Sequence, residues 1–128
     1  MNRLAINAPE ARVGLISYME THPQRVEASH FPTTHEFTPG LYTRTVELKA
    51  GDRVLSKVHR TEHPFFILKG VVQSWSPGAG WTVVQSPYRG VTRPGEWRAV
   101  VAVCDTVWST VHATDKTDVA EIERDLFE

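Results

Sequence analysis

Lys57-Val58-His59-Arg60-Thr61-Glu62-His63-Pro64 is the stretch on which the fold of this chain turns. On a helix, two histidines four positions apart would share one face. Pro64 and the β-rich residues on either side argue against a helix, because proline breaks it and pushes the preceding residue into extended geometry. On one straight strand His59 and His63 would stand about 13 Å apart, too far to share an ion. They meet only if Arg60-Thr61-Glu62 is a turn between two strands whose inner faces converge. The pair therefore gains chemical meaning only in a β-structure that folds back on itself.

The flanking sequence supplies such a structure. From about residue 24 to residue 112, short runs rich in Val, Ile, Thr and aromatics alternate with Pro/Gly punctuation, at the spacing of a sandwich or barrel. Leu41 to Lys49 is the clearest strand, with Tyr42, Val46 and Leu48 on one face. Arg53 to His59 follows the Ala50-Gly51-Asp52 turn. Phe65 to Trp75 reads as two strands bent at Gly70, followed by Trp81 to Gln85, Trp97 to Cys104 and Thr106 to His112. Pro39-Gly40, Gly51-Asp52, Ser76-Pro77-Gly78-Ala79-Gly80 and Pro94-Gly95 mark the turns. The Ser76–Gly80 stretch is short and lacks the lysine of a phosphate-binding loop, so it reads as a hairpin turn.

The ends differ in texture. Residues 1–23 hold a loosely periodic set, Val13, Leu15, Ile16 and Met19, read as a short helix that stops by His22-Pro23. At the other end the period becomes helical. Asp118 and Glu121 have capping-box spacing, and Val119, Ile122 and Leu126 form one stripe. That apolar stripe must be covered, by the barrel or by a neighbouring copy. The expected organisation is an arm over residues 1–36, either part of the barrel or reaching onto a neighbour, a barrel over 37–115 and a helix over 116–128.

Composition bounds the function. A chain of 128 residues has room for one core. With 14 Lys+Arg against 15 Asp+Glu, the net charge of −1 speaks against nucleic-acid or anionic-membrane partners, which favour a basic excess. The longest wholly apolar run, Ala99 to Cys104, is far short of the roughly 20 residues that cross a bilayer. Polar residues interrupt the first seven positions, so no signal peptide is expected. Cys104, the one cysteine, allows neither an internal disulfide nor a cysteine-built zinc site. A buried, inert thiol is expected there.

Gly51 to Gly70 resembles the first signature of the cupin superfamily, G-x5-H-x-H-x3/4-E-x6-G. His59 stands at the second histidine, His63 at the glutamate, and Lys57 in place of the first histidine. Gly90 to Ala102 resembles the second signature only at Pro94-Gly95, with Arg98 where a histidine would stand and Ala102 where an asparagine would. From about Phe37 onward the chain is similar to small cupin-like proteins of tailed phages and prophages. The resemblance runs through Thr38–Tyr42, Val58–His63, Leu68-Lys69-Gly70, Arg93–Arg98 and Asp105–Asp115. It implies an all-β, cupin-like jelly-roll barrel with an N-terminal arm and a C-terminal amphipathic helix, and no particular reaction.

Two chemistries are open to such a barrel. If inward, His59 and His63, with His112 as a third ligand, offer neutral imidazoles to one divalent metal such as Zn, Ni, Fe or Mn. If Lys57 and Arg98 face inward too, the cavity is cationic and suits a small anion, the planar Arg fork matching carboxylate or phosphate. Against both, charged strand residues commonly face water, where Lys57 and Arg98 would pair with Glu47, Glu62 or Glu96. Trp75, Trp81, Trp97 and Trp108 are expected to supply core or interface volume.

The first functional reading is a non-catalytic phage or prophage accessory or structural protein. It would use the barrel for assembly or ligand binding, self-associate and contact other phage structural proteins. Its expected place is the cytoplasm of the bacterial host, with incorporation into a virion. It needs no cofactor. The alternative is a small metal-dependent or acid–base enzyme acting on an anionic or carbohydrate-like substrate, with Glu62 or Lys57 moving the proton.

Overall fold

The computed structural model describes residues 31–128; the helix expected within residues 1–23 lies outside them. Nine strands precede one helix: β1 (Thr33–Thr38), β2 (Leu41–Leu48), β3 (Arg53–Leu55), β4 (His63–Lys69), β5 (Val71–Ser76), β6 (Gly80–Gln85), β7 (Tyr88–Thr92), β8 (Ala99–Ala102), β9 (Thr106–Ala113) and α1 (Val119–Leu126). They form two antiparallel sheets ordered β1-β2-β9-β4-β7 and β3-β8-β5-β6. This is a jelly-roll, as the alternating strand-and-turn pattern predicts.

Alternation sets the inner faces. Along β4, His63, Phe65 and Ile67 are buried. Along β2, Tyr42 and Leu48 are buried, with Val46 against the same core. The main core gathers Phe31, Leu48, Ile67, Val72, Val100 and Ala102 between the sheets. Trp75, Trp97 and Ala99 form a second cluster. Trp108 is half-buried beside the main core, whereas Trp81 is 53% exposed, outside the core and free for the interface role that was the other expectation. Trp81 lies on β6, at an edge of the four-stranded sheet, where no further strand pairs among the described residues.

Gly70 carries the chain from one sheet to the other, between β4 and β5. Its φ is +101°, a region that L side chains rarely adopt. A Cβ there would stand 2.6 Å from the Asp105 carbonyl oxygen and 2.8 Å from the Thr106 Cα. Both neighbours are backbone and cannot swing aside. The bend read at Gly70 is thus a sheet switch that requires glycine twice over.

The helix covers its stripe on its own barrel. The Asp118 carboxylate accepts from the Ala120 and Glu121 amides, and Ile122 and Leu126 are buried against Tyr42. The end of the chain is sewn down as well. The Arg60 amide donates to the Leu126 carbonyl and the Glu128 amide to the Val58 carbonyl.

Of the placements left open for the segment before residue 37, Thr33–Thr38 take the barrel, pairing as β1 with Val46–Leu41. Two expectations shift. β7 was not anticipated; it pairs with β4, and the hydrogen of Gly90 lets the Phe65 ring approach, where a Cβ would come within 2.5 Å of it. Cys104 is exposed rather than buried. β8 stops at Ala102 and the chain turns outward through Val103–Asp105, a turn tied by the Ala50 amide to the Asp105 carboxylate and by the Thr106 hydroxyl to the Cys104 carbonyl.

Gly70→Ala is expected to cost about 2 kcal/mol or more of stability, because the added methyl meets both an unfavourable φ and fixed backbone. Urea unfolding followed by tryptophan fluorescence measures it. An unchanged midpoint would show that the switch tolerates a side chain.

Candidate ligand cavity

The cavity follows from register. On the five-stranded sheet, Tyr42 lies opposite His112, Arg44 opposite Thr110 and Val46 opposite Trp108. On the other side of β9, Phe65 lies opposite Thr110 and Ile67 opposite Trp108, while His63 faces Thr92 of β7. Residues directly opposite share a face, so the inner wall descends in rows. The top row is Tyr42, His112, His63 and Thr92, the next contains Arg44, Thr110 and Phe65, and the next Val46, Trp108 and Ile67. Polar and cationic groups cluster at the helix end, apolar ones toward the main core.

The facing sheet shows the same order. Val54 pairs with Val100, and both line the cavity. Two residues from Val100, with the same parity, stands Arg98. Its amide donates to the Ser56 hydroxyl at 2.8 Å, and its carbonyl accepts from the Ser56 amide at 2.9 Å. The His59 amide and the His59 Nδ1–H both donate to the Glu96 carbonyl, at 3.0 and 2.9 Å, and the Gly95 amide returns a bond to the His59 carbonyl. Residues 56–59, read as strand, are thus an irregular segment clamped to residues 95–98. The turn at residues 60–62 then leads into β4, so the His59 and His63 rings meet at a centroid distance of 5.2 Å.

His63 and His112 lie closer still, 4.2 Å apart, and His112 stacks on Tyr42. Phe127 closes on His59 at 5.4 Å. His59, His63 and His112 are all buried. The cavity they border has a volume of about 310 Å³, at the small end of the range for small-molecule pockets.

Burial is the largest cause of the acid–base character of these rings. It lowers all three pKa values from the ordinary 6.5, His63 to about 4 and His112 to about 3. The neighbouring rings deepen the effect for His63 and His112, and Arg98 and Arg44 push in the same direction. The cluster is therefore neutral at pH 7. Because Glu96 offers only a carbonyl, His59 carries its proton on Nδ1 and keeps a lone pair on Nε2. The His112 Nε2 meets the Thr110 hydroxyl at 2.8 Å. Its Nδ1 is buried without a hydrogen-bond partner among the described residues.

Arg98 borders the cavity, the inward of the two placements open to it. Its guanidinium sits 4.7 Å from the Phe65 ring centroid and 5.9 Å from that of Trp108, and donates to the Thr92 hydroxyl at 3.1 Å. Among the described residues no carboxylate comes within ion-pair distance of it, whereas Arg44 is held by Glu123 of α1 at 3.2 Å. Lys57 lies at the exposed rim, its Nζ 5.9 Å from the Phe127 ring centroid. Glu62 is exposed in the turn and does not border the cavity. Arg44, Thr92 and Phe127 border it without having been singled out. The inward parity of Arg44, between Tyr42 and Val46, was the available signal.

A divalent ion needs its ligand atoms aimed at one point. Among the described residues no three His, Cys, Asp or Glu side chains are so arranged. His59, His63 and His112 come together as a cluster of rings, with Arg98 on the same cavity, but do not make a ligand set for one ion.

No protein-family model matches the chain, and none of the curated proteins does. Solved structures do. A cupin superfamily protein from Desulfitobacterium hafniense aligns over 70% of this chain and 83% of its own, at 8% identity and a TM-score of 0.57. A cupin-2 domain protein from Shewanella frigidimarina aligns over 82% and 98%, at 12% identity and a TM-score of 0.54. A conserved Klebsiella pneumoniae protein with a double-stranded β-helix domain aligns over 65% and 76%, at 13% identity and a TM-score of 0.56. The chain has the cupin fold. Nothing in these likenesses links it to phages.

Because His63 and His112 hold pKa values below those of the unfolded chain, the native state binds fewer protons than the unfolded one between about pH 4 and 6.5. Their contribution to stability is complete above pH 6.5 and is lost as pH falls through that window. The melting temperature is expected to drop by roughly 5–10 °C between pH 7.5 and pH 5. The His63→Gln/His112→Gln variant should flatten that slope. Equal slopes in both proteins would show that these rings do not titrate as their burial requires.

Proposed function

We propose that this chain is a non-catalytic binding module that holds a small anion in its barrel. The observation that carries the reading is Arg98. A buried-side guanidinium stacked on two aromatic rings, with one hydroxyl partner and no acidic one among the described residues, is costly unless charge or hydrogen bonds compensate it. An entering carboxylate supplies both, through the planar fork. Neutral imidazoles and the Thr92 and Thr110 hydroxyls complete a polar head site, and Lys57 at the rim adds attraction for anions. Fold alone carries no activity, and of the two candidate proton carriers Glu62 stands outside the cavity and Lys57 at its exposed rim.

The resemblance of residues 37 onward to small cupin-like phage and prophage proteins supports an accessory or structural role for this module, in assemblies with itself or with other phage proteins. The exposed residues Trp81 and Val83 on edge strand β6 fit such contacts. Light scattering on the purified chain is expected to give a defined oligomer. A monomer at all concentrations would count against the assembly role.

Thermal shift against straight-chain carboxylates tests the binding role. At least one is expected to raise the melting temperature of the wild type and leave Arg98→Gln unmoved. Elemental analysis of protein purified without chelator separates this from the enzyme reading. The expected result is no stoichiometric metal. One ion per chain, lost in His59→Ala/His63→Ala, would replace the anion module with a metal-dependent centre.

A further inference from the structure

Resting on the anion-binding reading, we infer that the barrel's ligand is an amphipathic monocarboxylate, its head at Arg98 and its apolar body lying down the barrel toward the main core. The polarity gradient of both walls carries this. On one sheet the inward residues change from Arg44 and Thr110 to Val46 and Trp108 within one row. On the other they change from Arg98 and Ser56 to Val100 and Val54 over the same step. All of these border one cavity, so a single molecule touches both zones.

Charge bookkeeping narrows the head group. Arg44 is already neutralised by Glu123 at 3.2 Å, and the three histidines are neutral near pH 7. One inward cation, Arg98, is left without a carboxylate among the described residues, and Lys57 stands at the rim. A monoanion matches Arg98. A dianion would set its second charge among neutral groups inside the barrel, with Lys57 only at the exposed rim. The apolar zone excludes free acetate or phosphate as the fitted ligand, because neither covers Val46, Val54, Val100 and Trp108. The small volume, about 310 Å³, sets the scale at a chain of medium length rather than a long-chain lipid.

Titration calorimetry with octanoate, acetate and 1-octanol tests this on the full chain, with Arg98→Gln and Val54→Thr as variants. Octanoate is expected to bind at least about a hundredfold more tightly than acetate, since every buried methylene adds severalfold. It is also expected to bind more tightly than 1-octanol, with that advantage lost in Arg98→Gln. Val54→Thr, which places a hydroxyl in the apolar zone, should weaken octanoate severalfold and leave acetate binding unchanged. Equal binding of acetate and octanoate would overturn the amphipathic ligand and spare the anion site. Equal binding of octanol and octanoate would overturn the anion site itself. Binding of none of the three would overturn both.

Discussion

The pairing of residues 56–59 with residues 95–98 is the constraint from which the site follows. Neither segment is regular strand, yet five hydrogen bonds join them, two from His59 to the single carbonyl of Glu96. This clamp fixes the His59 tautomer, starts the turn that brings His63 alongside, and orients the backbone of Arg98 so that its side chain continues the inward parity of Val100. It also gives α1 a platform, since the Val58 carbonyl and the Arg60 amide receive the end of the chain. Loosening it would separate the histidines, release the guanidinium from its aromatic rings and free the helix together.

The electrostatic character of the cavity comes from exclusion as much as from attraction. Buried rings beside Arg98 and Arg44 resist protonation, so the cluster does not accumulate positive charge of its own. The field near the head site is set by guanidinium groups, which keep their charge at any physiological pH. That division suits anion recognition: permanent cations supply attraction, and neutral imidazoles and hydroxyls supply directional hydrogen bonds.

Much of this was legible in the sequence. The alternation of Tyr42, Val46 and Leu48, the bend at Gly70 and the Asp118 cap follow from periodicity and backbone chemistry, which act locally. So does the need for a turn between His59 and His63. What stayed hidden depends on partners distant in the chain. β7 reads Tyr-Arg-Gly-Val-Thr, with too little apolar character to announce a strand, and only the approach of Phe65 to Gly90 explains its glycine. Arg44 and Arg98 look like water-facing charges until aromatic rings and a helix carboxylate from remote segments meet them. Cys104 reads as the end of an apolar run, but the strand stops two residues earlier, where the chain turns to begin β9.

The central position of β9 has a consequence for how the barrel forms. It lies between β2 and β4, and its partners come from far earlier in the chain: Thr45 and Ser109, hydrogen-bonded at 3.0 Å, are 64 positions apart. Until β9 arrives, β2 and β4 have no common neighbour and the upper row of rings cannot close. A topology whose middle strand is the last in the chain must close large loops before it gains its contacts, which places it among slow folders, on the millisecond-to-second scale. During that interval the edges of β2 and β4 stand open to other chains. Crowded synthesis therefore exposes this barrel to mispairing at the same strands that later bear Tyr42, His63 and Arg44.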